Sequence, residues 1–126
     1  MSAMPWRVLV ADDDPTAGLL MRAALGGGDF ALTLVDNGCD AVDAFQRSSF
    51  DIALLDVEMP GLDGLEVCSA IRRTHGTRFP VVLVTGRSDA TFVEQARLLS
   101  ASHLAKPVDW TSLAAFLRTL LSAGLS

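Results

Sequence analysis

The stretch Val8-Leu9-Val10-Ala11-Asp12-Asp13-Asp14-Pro15-Thr16 decides how this chain is read. Four apolar residues run straight into three acids, and a proline follows. An apolar run of that length, with no polar alternation, reads as a strand buried on both faces of a parallel sheet. Asp14-Pro15 then opens a helix, with Asp as N-cap and Pro at the first helical position. The same grammar recurs along the chain. Ile52-Ala-Leu-Leu55 ends in Asp56, Val81-Val-Leu-Val84 ends in Thr85, and Leu104-Ala105 ends in Lys106, which is the only lysine. In a parallel sheet the carboxyl ends of the strands border the ligand crevice. Acids, a hydroxyl and a cation are therefore expected to converge on one edge.

The rest of the chain fills in the alternation. Predicted strands cover 7–11, 31–35, 51–55, 80–84 and 102–105. Predicted helices cover about 14–25, 39–46, 63–73 and 89–99, and a last one is capped by Asp109. Gly26-Gly27-Gly28 stops the first helix, and Pro60-Gly61 breaks the segment after Asp56. Trp110, Leu113, Ala114, Leu117, Leu120 and Leu121 form the expected buried stripe of the last helix, with Phe116 at its edge. Five strand–helix alternations with short connections predict an α/β fold, a single doubly wound five-stranded parallel sheet. Periodicity leaves the strand order open.

Composition excludes several classes of function. At 126 residues the chain is read as one domain, 1–126, with a core from about 6 to 121, short tails at 1–5 and 123–126, and no output domain. Half the residues are hydrophobic and mean hydropathy is positive, which argues against disorder. Ten basic residues against fifteen acidic ones give a net charge of −5, contrary to a nucleic-acid surface. Arg72-Arg73, the only adjacent basic pair, reads as a solvated helix end. No segment approaches the roughly 20 apolar residues a membrane span needs, and no leader pattern is seen. Cys39 and Cys68 lack disulfide or metal spacing and read as free thiols packed in helices. The expected location is cytoplasmic.

Twelve of the fifteen acids are Asp, a residue suited to element ends and metal sites more than to helix interiors. Asp12, Asp13 and Asp56 brought together would repel one another by about 4 kcal/mol per pair in a partly buried site. A hard divalent cation relieves this, and Mg²⁺ needs only two carboxylates and a carbonyl from the protein. Helix capping accounts for Asp14 but does not require three acids. Asp56 ends the most apolar strand, where a carboxylate is costly unless it has work to do. A carboxylate nucleophile can form an acyl phosphate. Lys106 and Thr85 would then each hold one phosphoryl oxygen.

These residues carry a resemblance. Val8–Thr16, Leu54-Leu-Asp-Val-Glu-Met-Pro-Gly-Leu-Asp-Gly64, Val84-Thr85 and Ala105-Lys-Pro107 together resemble the receiver domain of two-component response regulators over about 6–121. The resemblance implies strand order 2-1-3-4-5 in a flavodoxin-like receiver fold. It implies that Asp56 accepts a phosphoryl group from a phosphohistidine of a sensor kinase or phosphotransfer protein. It implies Mg²⁺ held by Asp12, Asp13, Asp56 and the Glu58 carbonyl, with Asp12 acting mostly through water. Thr85 would move toward the phosphoryl group, Lys106 would hold one of its oxygens, and the Lys106–Pro107 bond would be cis. The face 89–121 would meet a downstream protein or a second copy. Such a domain is an acceptor, not an enzyme, although it catalyses its own phosphorylation and slow dephosphorylation.

Two departures and two rivals accompany that resemblance. The family usually has Tyr or Phe three residues before the lysine, and this chain has His103. It is expected to be half-buried in the same slot, or to act as a proton-sensitive rotamer switch. Gly86 stands where Ala is more usual. Glu58 and Arg87, each two residues beyond a site residue, are expected to pair across the site mouth and to modulate the lifetime of the phosphoryl group. One rival is a haloacid-dehalogenase-type phosphohydrolase using Asp12 in Asp12-Asp-Asp-Pro-Thr16. It leaves the Asp56 segment unexplained. The other is a receiver-like protein-binding module that never turns over phosphate.

Overall fold

The computed structural model describes residues 4–123. The tails expected at 1–5 and 123–126 lie mostly outside them. Strands β1 (Trp6–Ala11), β2 (Phe30–Val35), β3 (Ile52–Asp56), β4 (Val81–Thr85) and β5 (Ser102–Ala105) alternate with helices α1 (Pro15–Leu25), α2 (Gly38–Arg47), α3 (Gly64–His75), α4 (Ala90–Leu98) and α5 (Leu113–Ala123). All the strands are parallel, in the order β2-β1-β3-β4-β5. The α/β fold class, the order and the element count agree with the sequence reading.

Strand pleating divides the core into two layers. On one face Leu9, Ala11, Ala53, Leu55, Val81 and Leu83 pack under α2, α3 and α4. On the other Val8, Val10, Ile52, Leu54, Val82 and Val84 pack under α1 and α5. Every residue of β3 and β4 is buried, as continuous apolar runs require. A fully buried Leu or Ile contributes about 1.5–3 kcal/mol, so these two strands anchor the domain.

Local chemistry starts the helices. Asp14 accepts from the Thr16 amide ahead of Pro15. Asn37 caps α2 through the Asp40 amide, and Asp63 with Glu66 forms a reciprocal capping box on α3. The last helix departs from expectation. Asp109 takes hydrogen bonds from the amide and hydroxyl of Thr111, so it organises a lead-in turn, and the regular helix begins only at Leu113. Leu113, Leu117 and Leu121 are its buried residues, while Trp110, Ala114, Phe116 and Leu120 are partly buried.

Two surface readings are also corrected. Arg72 is not a solvated helix end. Its guanidinium donates to the carbonyls of Leu99, Gly76, Phe79 and Ser100 at 2.6–3.1 Å, joining the ends of α3 and α4 to the start of β4. Cys68 is buried as expected, but Cys39 is exposed.

Candidate functional site

Sheet register brings the site together. Ala11 pairs with Leu55, so Asp12 and Asp56 leave the sheet side by side. The ladder runs on past the strands: the Asp12 amide donates to the Val35 carbonyl, Val57 to Val84, and Lys106 to Thr85. Asp12, Asp13 and Asp56 each present a carboxylate oxygen, and these atoms lie within 4.8 Å of one another. Lys106 Nζ donates to Asp56 Oδ1 at 2.8 Å, and the Glu58 amide donates to the same oxygen at 3.3 Å. The Lys106–Pro107 peptide is cis.

Asp56 is 2 % exposed, and Thr85 is fully buried. Pleat alternation aims them differently. Asp56 continues the face of Ile52 and Leu54, whereas Thr85 continues that of Val81 and Leu83. The Thr85 hydroxyl accordingly donates to Glu58 Oε1 at 2.8 Å and accepts from the Arg87 amide at 3.0 Å.

The electrostatics follow from burial. Burial is the main force pushing the Asp56 carboxyl up to about 6; the Asp12 charge adds to it, and the Lys106 hydrogen bond opposes it. Asp12 is raised as well, mainly by burial, against the pull of the Asp14 amide and Lys106. At Lys106 burial pulls downward. The hydrogen bond to Asp56 and the charges of Asp56, Asp12 and Glu58 outweigh it, so the ammonium is held above its ordinary range. Three carboxylates against one ammonium leave negative charge uncompensated. A compact set of hard oxygen donors with surplus negative charge fits a small divalent cation.

Arg87 and Glu58 do not pair. Arg87 forks onto Asp89, with both nitrogen–oxygen distances 3.0 Å, because that acid lies two residues away on the same turn. Glu58 is committed to Thr85 instead. Asp89, held at about 2 mainly by Arg87 and next by the Phe92 amide, also caps α4. The Arg87 guanidinium lies 5.5 Å from the centre of the Phe92 ring. His103 is exposed rather than half-buried, because its strand lies at the sheet edge. Its ring meets the buried Phe92 edge-on, with 5.7 Å between centroids. Sequence reasoning missed the contacts Thr85–Glu58, Arg87–Asp89 and Phe92–His103, since none is a local pattern of the chain. Only Asp89, an N-cap residue two positions after an Arg, carried a signal for one of them.

Comparison with known proteins agrees with this geometry. The family model described as the response regulator receiver domain matches residues 8–118. The transcriptional activator IrlR of Burkholderia pseudomallei is 32% identical over 119 residues, covering 94% of this chain and 51% of the relative. Response regulator MprA of a Mycobacterium species is 36% identical over 121 residues, with 94% and 51% covered. The sensor histidine kinase GacS of Pseudomonas protegens is 36% identical over 121 residues, covering 90% of this chain but 13% of the kinase. The chain thus spans about half the length of IrlR and MprA and much less of GacS. Among solved structures, a CheY-like receiver domain protein of Methanospirillum hungatei superposes with a TM-score of 0.89 at 18% identity, covering 96% of this chain and 97% of that one. The receiver domain of sensor histidine kinase PA1611 from Pseudomonas aeruginosa gives a TM-score of 0.82 at 27% identity, with 94% and 98% covered. That structure holds a magnesium ion coordinated in its active-site cleft. None of these matches favours a phosphohydrolase. Among the described residues no helix is long and apolar enough to cross a membrane. With the fold, the strand-end acids and the family model in agreement, this chain belongs to the response regulator receiver domain family of two-component systems.

Proposed function

We propose that the chain is a phosphoryl-accepting switch, with Asp56 as the acceptor. The carrying observation is a carboxylate 2 % exposed at a strand end, 2.8 Å from the sole lysine, with two further acids within 4.8 Å. An Asp56 oxygen attacks phosphorus, the phosphorus–nitrogen bond of a phosphohistidine breaks, and its electron pair stays on the departing imidazole. Lys106 donates to a phosphoryl oxygen in place of its bond to the free carboxylate. Asp12, Asp13, Asp56 and the Glu58 carbonyl would hold Mg²⁺. When bound, the ion offsets charge on the acids and on the incoming phosphoryl oxygens. Thr85 then turns to the new anion, and Arg87, Asp89 and Phe92 link that movement to α4.

On this reading the donor is a histidine kinase or phosphotransfer protein. The receiver, a single domain over 1–126, works in the cytoplasm as a signalling acceptor and not as a turnover enzyme. Its 89–121 face meets a downstream protein or a second copy. The test is to treat the protein with acetyl phosphate and Mg²⁺ and locate the labile phosphoryl group by mass spectrometry after borohydride reduction. Label on Asp56, absent from Asp56→Asn and absent with EDTA, is the expected result. Label on Asp12 would restore the phosphohydrolase reading.

A further inference from the structure

We propose that the Glu58 side chain is a positioning residue that sets how readily the site takes up a phosphoryl group, by competing for the single proton of the Thr85 hydroxyl. The inference rests on the reading of Asp56 as phosphoryl acceptor. Its basis is a count of donors. A hydroxyl has one proton to give. Thr85 is fully buried, and it gives that proton to Glu58 Oε1 at 2.8 Å while accepting from the Arg87 amide at 3.0 Å. The hydroxyl cannot donate to a phosphoryl oxygen on Asp56 while that bond stands. A carboxylate acceptor makes the bond charge-assisted, stronger than a neutral one.

The Glu58 carboxylate therefore occupies, on the Thr85 proton, the place an incoming anion needs. Uptake of a phosphoryl group exchanges one anionic acceptor for another, and the Glu58 bond has to be given up first. Glu58 is otherwise exposed and has no basic partner among the hydrogen bonds and ion pairs described, since Arg87 is committed to Asp89. Release therefore returns its carboxylate to water without stranding a buried charge. The Glu58 charge also reaches Lys106 through space and opposes a second anion there. Removing Glu58 ought to tighten the site by both routes, but only the hydroxyl competition needs Thr85.

The experiment titrates beryllofluoride, with saturating Mg²⁺, into the full chain by calorimetry. The proteins are wild type, Glu58→Ala, Thr85→Val, Thr85→Ser and the combinations with Glu58→Ala. Releasing the hydroxyl is expected to tighten beryllofluoride about three- to tenfold in Glu58→Ala, the worth of a single hydrogen bond. The gain is expected to persist in the Thr85→Ser background, which keeps a hydroxyl, and to fall below about twofold in Thr85→Val. No gain in Glu58→Ala, or an equal gain in the Thr85→Val background, overturns the competition. Wild-type protein that fails to bind beryllofluoride, or Asp56→Asn that binds it equally well, overturns the acceptor reading itself and the competition with it.

Discussion

A carboxylate kept from water beside one ammonium and two further acids binds its proton more tightly than an exposed one, and Asp56 carries that signature. Its carboxyl stands at about 6 against an ordinary 3.8, with burial as the main cause. A carboxyl raised on folding adds stability below its ordinary value and loses that contribution as pH climbs through the raised one. In metal-free protein the loss between those limits is at most about 3 kcal/mol. Asp56→Asn removes the charge. In EDTA at about pH 7.5 its urea midpoint is expected to exceed the wild type's, and the two are expected to converge near pH 4. Parallel curves at both pH values would show that Asp56 is not strained. Apparent Mg²⁺ affinity is expected to fall about tenfold per pH unit below about pH 6, since the ion needs the deprotonated group. Titration calorimetry reads this directly. Asp56 and Lys106 were legible in the sequence because each ends an apolar strand, and Lys106 has no other lysine to be confused with. Arg72 was not, because its acceptors are carbonyls at 76, 79, 99 and 100, placed only by tertiary packing. Arg72→Lys keeps the charge but loses the planar fork. It is expected to cost about 2 kcal/mol in urea unfolding through unpaired carbonyls. An unchanged midpoint would mean that water serves them as well.

Helix α3 starts against the backbone of the strand that carries Asp56, and Gly64 permits this. A Cβ on Gly64 would sit 2.5 Å from the Asp56 carbonyl oxygen and 3.0 Å from Val57 Cα. The Gly64 amide meanwhile donates to the Val57 carbonyl at 3.1 Å. Gly64→Ala must therefore displace the loop that aims Asp56. It is expected to destabilise by about 1–3 kcal/mol, as overpacking does. It is also expected to slow labelling by acetyl phosphate by on the order of tenfold or more, since small misplacements at a reacting group are costly. Gly27→Ala is the control, because nothing lies within 4 Å of a Cβ there. Labelling of Gly64→Ala at the wild-type rate would remove Gly64 from the account. Gly64 stands at the start of the helix predicted over about 63–73, but no local pattern tells that its hydrogen faces a peptide plane seven or eight residues earlier. Element boundaries were legible where a cap chose them. Asp14 and Asn37 mark α1 and α2 within a residue or so of their sequence placement. Asp109 misled, because a side chain that satisfies Thr111 supports a turn as readily as a helix.

The strand order puts β1 between β2 and β3, so the chain reverses its direction of travel across the sheet at β1 and β3, where the three acids meet. That reversal opens a crevice at the strand ends. Buried apolar runs predicted the sheet but not its order, because pairing joins residues far apart in sequence. Here the order came only through family resemblance. The same topology sets how a change at the crevice spreads. Helix α4 contributes only Phe92 and Ala96 to the core and is fastened differently at its two ends. Its start depends on Asp89, which is tied through Arg87 to Thr85. Its end is pinned by Arg72 to the carbonyls of Leu99 and Ser100 and by the Ala101 amide to Ala96. If Thr85 turns to a phosphoryl group, the Arg87 amide loses its acceptor, and the disturbance enters α4 at its first turn. Hydrogen exchange on beryllofluoride-loaded protein is expected to change at least threefold at the amides of Arg87, Phe92 and Val93. Change at Leu99, Ser100 and Ala101 is expected to stay within about twofold, because the opening that exposes an amide is local. A helix pinned at its end and loosened at its start pivots. Matching changes at both ends would mean that α4 shifts as a rod, and that Arg72 travels with it instead of holding it.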